Sequence, residues 1–118
     1  MHGSKETTVA LTHIASGELA SVRPFGAQIA QHQTTALLKA RQLEVIRLVL
    51  HAGKRLPQHA VAGEITVQCL EGCVDFTTTV KTHRMRAGDW IHLEGGEPHA
   101  LEAVESSSLL LTICLAAP

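Results

Sequence analysis

Histidine is the residue type with the clearest chemical potential in this sequence. The 118-residue chain contains eight histidines, and the neutral imidazole is a common metal ligand that also titrates near neutral pH. The three cysteines (Cys69, Cys73 and Cys114) form no Cys-x-x-Cys pair, which argues against a zinc ribbon or a disulfide framework. We find no Cys/His or Ser/His/Asp arrangement that supports nucleophilic catalysis, and no glycine-rich phosphate loop. The histidines therefore raise the question of a metal site.

The composition narrows the class of protein. The chain is 45% apolar but only 3% aromatic, so its core must be aliphatic. The formal charge of -1 lacks the basic excess that phosphate-backbone binding usually shows, and few aromatic side chains are present to stack on bases. The longest apolar stretch, residues 109–118, is too short to span a bilayer. We expect one domain that binds neither nucleic acid nor membrane, in the cytoplasm because the cysteines look reduced and the start resembles no signal peptide.

Short runs rich in Val, Ile, Thr and Leu, separated by turn residues, follow residue 33. Their spacing predicts an all-β sandwich or barrel over residues 34–118. Residues 1–33 are expected to form an N-terminal arm that packs on a dimer partner or frays, with a short helical turn at 14–20. Eight strands are predicted: Thr34–Ala40, Leu43–His51, Glu64–Leu70, Cys73–Val80, Thr82–Arg86, Asp89–Leu93, Ala100–Glu105 and Ser107–Leu115.

Two of these predicted strands are apolar on both faces. In the last strand, Leu109, Leu111 and Ile113 alternate with Leu110 and Cys114. The strand that begins at residue 43 shows a similar pattern. A strand of this kind is covered once by the barrel interior and once by something else, which predicts a homodimer.

Two segments resemble the paired motifs of the cupin superfamily of small β-barrels. They are GKRLPQHAVAGEITVQCLEG, residues 53–72, and GDWIHLEGGEPH, residues 88–99. The positions that match the family's motifs are Gly53, His59, Gly72, Gly88, Gly96 and His99. The resemblance implies a double-stranded β-helix, the jelly roll of RmlC-like cupins, and usually a homodimer.

The same resemblance implies a metal cage at the barrel mouth, built from histidines and one acid. Such ligands suit Fe, Mn, Ni, Cu or Zn. His59 and His99 occupy ligand positions, but Val61 stands where the family has a second histidine and Ile65 where it has the acid. Glu64, one residue away, is the substitute ligand if the preceding loop turns it inward; strand parity otherwise points it outward.

Three further side chains complete the predicted site. Gln68 shares strand parity with Glu64 and would offer a hydrogen bond on the same side. His92 is a further metal-ligand candidate, with a surface or interface histidine as the favoured alternative. Trp90 is a ligand contact or a packing anchor. The remaining histidines are expected to be solvated: His2, His13, His32, His51 and His83.

Three functions fit these observations. The first is binding of a small organic ligand in the barrel mouth, with or without a divalent metal, through His59, Glu64, Gln68, Trp90 and His99. The second is a metal-dependent dioxygenase or isomerase, as many cupins are, which needs three or four ligands. The third is a metal-free structural or partner-binding dimer. The degenerate metal motif favours the first, and neither the ligand nor catalytic residues are assigned.

Overall fold

Nine β-strands and one short 3₁₀ helix make up residues 13–115, the part of the chain that the computed structural model describes. The helix spans Gly26–Gln31. The strands are β1 (Thr35–Lys39), β2 (Leu43–Leu50), β3 (Arg55–His59), β4 (Ile65–Glu71), β5 (Cys73–Thr77), β6 (Thr82–Arg86), β7 (Trp90–Leu93), β8 (His99–Ala103) and β9 (Ser107–Cys114). All eight predicted strands are present near their predicted bounds, and the all-β prediction is confirmed.

The prediction of eight strands was one too few, because β3 was not predicted. Its sequence, RLPQH, contains Pro57 and a single half-buried apolar side chain, Leu56, so it lacks the usual strand pattern. Proline is tolerated because β3 lies at the edge of its sheet and pairs with β8 alone. The strand therefore forms because its neighbour offers an open edge.

Two antiparallel sheets enclose the core. Their strand orders are β1-β2-β9-β4-β7 and β3-β8-β5-β6, so most neighbours are not consecutive in the chain, as in a jelly roll. Val67, Cys69 and Leu109 of the first sheet join Phe76 and Leu101 of the second in one buried cluster. The inner faces of the two sheets therefore pack against each other.

Strand β4 shows how the sequence selects its inner face. Ile65, Val67 and Cys69 are at most 3% exposed, whereas Thr66 and Gln68 between them are half-buried. Because side chains alternate across a strand, the first three face the core and the other two lie on the outer surface. The cross-strand pairs with β7 and β9 extend the same division to both neighbours.

The described part of the N-terminal arm packs on the barrel of its own chain. The backbone N–H of Ile14 donates to the carbonyl of Leu37 at 2.9 Å. The helical turn expected at residues 14–20 is a single turn closed by Glu18 N–H to Ala15 O, and the helix lies later, at Gly26–Gln31. Residues 1–12 lie outside the described part. No helix within residues 13–115 is long and apolar enough to cross a membrane.

Candidate functional site

The structure places His59 and His99 side by side. His59 ends β3, His99 begins β8, and the two residues are direct cross-strand partners. Their ring centroids are 4.4 Å apart, with the ring planes tilted by 56°. The two histidines that match the motifs are thus in contact, although 39 residues separate them in the sequence. The contact results from the pairing of β3 with β8.

Both imidazoles are held in the same way by the backbone. His59 Nδ1 lies 3.0 Å from the carbonyl oxygen of Pro57, and His99 Nδ1 lies 2.9 Å from that of Glu97. A carbonyl oxygen only accepts hydrogen bonds, so each Nδ1 carries the proton and donates it. In the neutral ring, Nε2 is then left with a free lone pair. This arrangement presents two adjacent Nε2 acceptors.

The pair lies where the core meets the solvent. His99 is 5% exposed and stacks on the fully buried Phe76, with centroids 5.6 Å apart and ring planes 3° from parallel. His59 is exposed. One imidazole is therefore fixed by packing on an aromatic ring, and the other is open to an incoming molecule.

The two imidazoles match the ligand chemistry of a divalent transition metal, but the surrounding residues do not complete a set. A histidine that ligates metal usually donates its other N–H to a carbonyl or carboxylate, as both do here. Within residues 13–115, however, no group of three or more His, Cys, Asp or Glu side chains has the spacing of a metal site. Catalytic zinc, for comparison, normally has three protein ligands. The described residues therefore do not fit a resident catalytic metal.

Glu64 and His92 form a separate pair on the outer surface. Glu64 Oε1 lies 2.7 Å from His92 Nε2, and the two side chains are 67% and 41% exposed. Ile65, next in the chain, is buried, so parity turns Glu64 away from the core. The structure thus places both of these metal-ligand candidates away from His59 and His99.

Gln68 and Trp90 also lie on the outer face. They are cross-strand partners on β4 and β7, and Trp90 is 60% exposed. Ile91, the next residue, packs against the core, which confirms the outward direction of Trp90 by alternation. Of the five predicted ligand-binding residues, the structure brings His59 and His99 together in one place and Gln68 and Trp90 together in another, while Glu64 pairs with His92.

His83 faces the barrel interior, whereas its place in the sequence predicted a solvated side chain. It is the cross-strand partner of Phe76 on β6, and it is half-buried. The available signal was its position two residues before Met85, a buried residue of the same strand. A third imidazole therefore lies on the inner surface, on the far side of Phe76 from β8.

An open seam separates the two sheets along β6 and β7. Each of these strands is the last of its sheet, and they follow one another in the chain without pairing. Two cavities lie along the seam, of about 240 and 430 Å³. Both are lined by His83 and Ile91, so they adjoin.

Comparison with known proteins supports the fold. No protein-family model and no curated protein matches the chain. Among solved structures, a conserved protein of unknown function from Streptococcus pyogenes is 26% identical, with a TM-score of 0.70 over 92% of this chain and 99% of that one. A cupin superfamily protein from Desulfitobacterium hafniense is 13% identical, with a TM-score of 0.70 over 83% and 95%.

A salicylate 1,2-dioxygenase from Pseudoaminobacter salicylatoxidans is a more distant match. It is 21% identical with a TM-score of 0.59, and the match covers 61% of this chain but only 21% of the enzyme. Further matches include RmlC-like cupins. These likenesses and the two-sheet topology agree with the resemblance of the two glycine-framed segments. The chain has the double-stranded β-helix fold of the cupin superfamily.

Proposed function

We propose that the chain binds a small organic molecule at the end of the barrel where His59 and His99 lie. The observation that carries the proposal is the common anchoring of both imidazoles, each with Nδ1 donating to a backbone carbonyl. Fixed orientation lowers the entropy lost when a ligand binds. Two neighbouring imidazoles of fixed orientation, each with a free acceptor, are the kind of polar groups that small-ligand sites use.

The chemistry of the pair favours a ligand that donates hydrogen bonds. With Nδ1 protonated, each neutral ring offers Nε2 as an acceptor. A hydroxyl or N–H group of the ligand would donate to it. His99 is nearly buried, and a hydrogen bond is electrostatically stronger in such a site than in water. We therefore favour a compact ligand with two hydroxyl or N–H donors.

A divalent metal enters this proposal only together with the ligand. Iron, manganese, nickel, copper or zinc would find two imidazoles here and would take its remaining ligands from water or from the bound molecule. Binding by two imidazoles alone is weak compared with a set of three or four. The dioxygenase and isomerase hypotheses have less support for that reason, because each needs the fuller set.

We also propose that the chain forms a homodimer through the outer face of β2 and β9. Leu43 is 44% exposed, and Val45 and Leu110 are half-buried on that face. Burial of such side chains between two copies is favourable. Light scattering on size-exclusion fractions is expected to give the dimer mass for the wild type and the monomer mass for Leu110→Lys. A wild-type monomer at high protein concentration would contradict this part of the proposal.

Native mass spectrometry and metal analysis test the ligand site. The protein is purified without chelators or nickel resin, and its native mass is compared with its denatured mass. We expect a bound organic mass and metal far below one atom per chain. A stoichiometric metal in the absence of any organic molecule would contradict the proposal.

Thermal shifts with Zn²⁺, Co²⁺ and Mn²⁺ localise the site. A ligand at 100 times its Kd stabilises the folded state by about 2.7 kcal/mol, which shifts the Tm of a domain this size by roughly 10 °C. When the metal ions are added without the organic ligand, we expect only small increases in the Tm of the wild type and no increase in the Tm of His59→Ala. His51→Ala, which alters another exposed histidine, is the matched control. Loss of the bound organic mass in His51→Ala, or its retention in His59→Ala, would refute the assignment.

A further inference from the structure

The loop between β7 and β8, residues 94–98, carries the hydrogen-bond acceptor of His99. The acceptor is the carbonyl oxygen of Glu97, 2.9 Å from His99 Nδ1. Gly95 and Gly96 precede Glu97, and glycine leaves the backbone freer than any other residue. A larger residue cannot stiffen the loop at Gly95, because a Cβ there would collide with the carbonyl oxygen of Ala62. The direction of the Glu97 carbonyl therefore depends on contacts that hold this compliant loop.

Backbone contacts hold the loop only in part. The N–H of Gly96 donates to Val61 O at 2.8 Å, and the N–H of Glu97 donates to Glu94 O at 3.3 Å. Pro98 keeps the residue before it extended. Rotation at the two glycines still turns Glu97 and Pro98 as one piece. A further contact on Glu97 itself is needed to stop that rotation.

The side chain of Thr79 makes this contact from the turn between β5 and β6. Its hydroxyl donates to Glu97 Oε2 at 2.9 Å. The turn is held by its own hydrogen bonds: Thr78 Oγ1 accepts the N–H groups of Val80 and Lys81, at 3.2 and 3.4 Å. Thr78 N–H also donates to Lys81 O at 2.9 Å. The turn thus presents the Thr79 hydroxyl to the half-buried Glu97 from a fixed position.

Packing alone does not decide which nitrogen of His99 carries the proton. The ring stacks on Phe76, with the two planes 3° from parallel. A half-turn of the imidazole about its Cβ–Cγ bond keeps that plane, and so does a change of tautomer. The hydrogen bond to the Glu97 carbonyl is what selects protonated Nδ1. Without it, Nε2 becomes a donor in part of the molecules.

His59 has a different support and serves as an internal reference. Its acceptor is the carbonyl of Pro57, which lies within β3, and β3 pairs with β8. The proline ring fixes its own φ. The anchor of His59 therefore needs no side chain from another loop.

We propose that Thr79 is a positioning residue of the histidine pair: its hydrogen bond to the Glu97 carboxylate holds the Glu97 carbonyl on His99 Nδ1. His99 Nε2 then stays an acceptor. Thr79 acts through Glu97, and it sets specificity for a ligand with two donors rather than one donor and one acceptor. The effect on ligand binding rests on the function proposed above, whereas the effect on the His99 tautomer does not.

Imidazole ¹⁵N NMR of the free protein tests the tautomer directly, at about pH 8.5, where a histidine side chain is ordinarily neutral. In the wild type we expect both His59 and His99 to show protonated Nδ1 and unprotonated Nε2. In Thr79→Val, which replaces the hydroxyl with a methyl group, the His99 shifts should move toward the average of the two tautomers, and those of His59 should not move. Thr79→Ser, which keeps the hydroxyl, should restore the wild-type pattern.

Thr82→Val is the matched control in the same hairpin. It removes a hydroxyl that bonds Thr77 Oγ1, at 2.8 Å, rather than Glu97. Thr79 and Thr82 are both exposed, so neither substitution disturbs the core. Unchanged His99 shifts in Thr79→Val would overturn the proposal. An equal change in Thr82→Val, or no recovery in Thr79→Ser, would do the same, because either result assigns the effect to general loosening of the hairpin.

Native mass spectrometry of the same variants separates this inference from the proposed function. The probe is the organic molecule that co-purifies with the chain. We expect its Kd to rise about tenfold in Thr79→Val, or by about 1.4 kcal/mol, and to stay at the wild-type value in Thr79→Ser. An unchanged Kd beside an altered His99 tautomer would refute the role in specificity. Wild-type protein with both expected tautomers and no organic molecule would count against the proposed function and support the positioning of His99.

Discussion

Glu71 fastens the N-terminal arm to the barrel, and we expect Glu71→Ala to detach it. The carboxylate accepts hydrogen bonds from the N–H groups of Phe25 and Gly26, at 2.9 and 3.0 Å. It also accepts from Ser108 Oγ at 2.6 Å and from Arg47 Nη2 at 3.2 Å. One side chain thus joins the arm to β2 and β9.

The size of the effect depends on Arg47. Its side chain is 6% exposed and lies 3.7 Å from the ring centroid of Phe25. Removal of one partner from a buried ion pair costs about 3–5 kcal/mol because the other charge is left unpaired. Arg47 still donates to Arg23 O and Ser108 Oγ, and a detached arm admits water, so we expect about 3 kcal/mol.

Urea denaturation at pH 7 measures the free energy of unfolding, and amide exchange locates the change. We expect the Phe25 and Gly26 amides of Glu71→Ala to exchange at unfolded-chain rates, while the Phe76 amide keeps its protection. The double variant with Arg47→Met is expected to recover at least half of the loss, because a buried ion pair can be replaced by apolar groups. A loss below about 1 kcal/mol with the arm amides still protected would refute the reasoning.

The pH dependence gives an independent check on the same group. Burial would raise the pKa of Glu71, but hydrogen bonds from Ser108, Phe25 and Gly26 and the charge of Arg47 outweigh it and lower the pKa. Its contribution is thus complete above the unfolded-state pKa of about 4.3 and is lost as the pH falls through the lower folded-state value. The stability difference between wild type and Glu71→Gln should therefore shrink below about pH 4. A constant difference down to pH 2 would contradict this account.

Three further predictions concern the core and its turns. Gly72→Ala is expected to cost more than about 4 kcal/mol in urea denaturation, because φ is +89° and a Cβ would collide with Ser107 and its neighbour; Gly88→Ala, with φ of +95° and open space, should cost only about 1–2 kcal/mol. Burial raises the pKa of Cys69 to about 11, so at pH 8 Ellman's reagent should modify the half-exposed Cys114 first and Cys69 only on unfolding. Phe76→Leu should lower stability by about 1 kcal/mol and loosen His99, seen as broadened ring resonances in NMR; an unchanged His99 signal would show that the stacking is dispensable.

The alternation of apolar and polar residues predicted most of the strands, because each of those strands carries its own apolar face. In β4, for example, Ile65, Val67 and Cys69 are buried and determine which face of the strand points to the core. Their spacing of two residues is visible in the sequence. Strand β3 carries no such pattern, and its pairing with β8 is a property of the sheet edge. The arm likewise depends on Glu71, whose partners are 45 and more residues away in the chain.

For the candidate site too, some features could be predicted from the sequence and others depend on how the strands pair. Motif spacing located His59 and His99, and their contact follows from the β3–β8 register. His83 was missed because its inward direction is set jointly with Phe76 on a neighbouring strand. The pairing of Glu64 with His92 could not be predicted from the sequence near either residue, because it depends on the register between β4 and β7. The alternation of side chains had predicted the outward direction of Glu64 as one of two alternatives.

The outward position of Glu64 follows from the energetics of the core. Glu64 directly precedes β4, and its carbonyl oxygen accepts the N–H of Cys114, so it continues the pairing with β9. Turning it inward while that pairing is kept would require a one-residue slip of β4, which would expose Ile65, Val67 and Cys69 together. Full burial of each large aliphatic side chain contributes about 1.5–3 kcal/mol, so the slip would cost roughly 5 kcal/mol or more. A third metal ligand contributed by Glu64 would have to offset that loss. The core that builds this barrel therefore also holds Glu64 outside it, which is why the ligand that we propose for this end of the fold needs only His59 and His99.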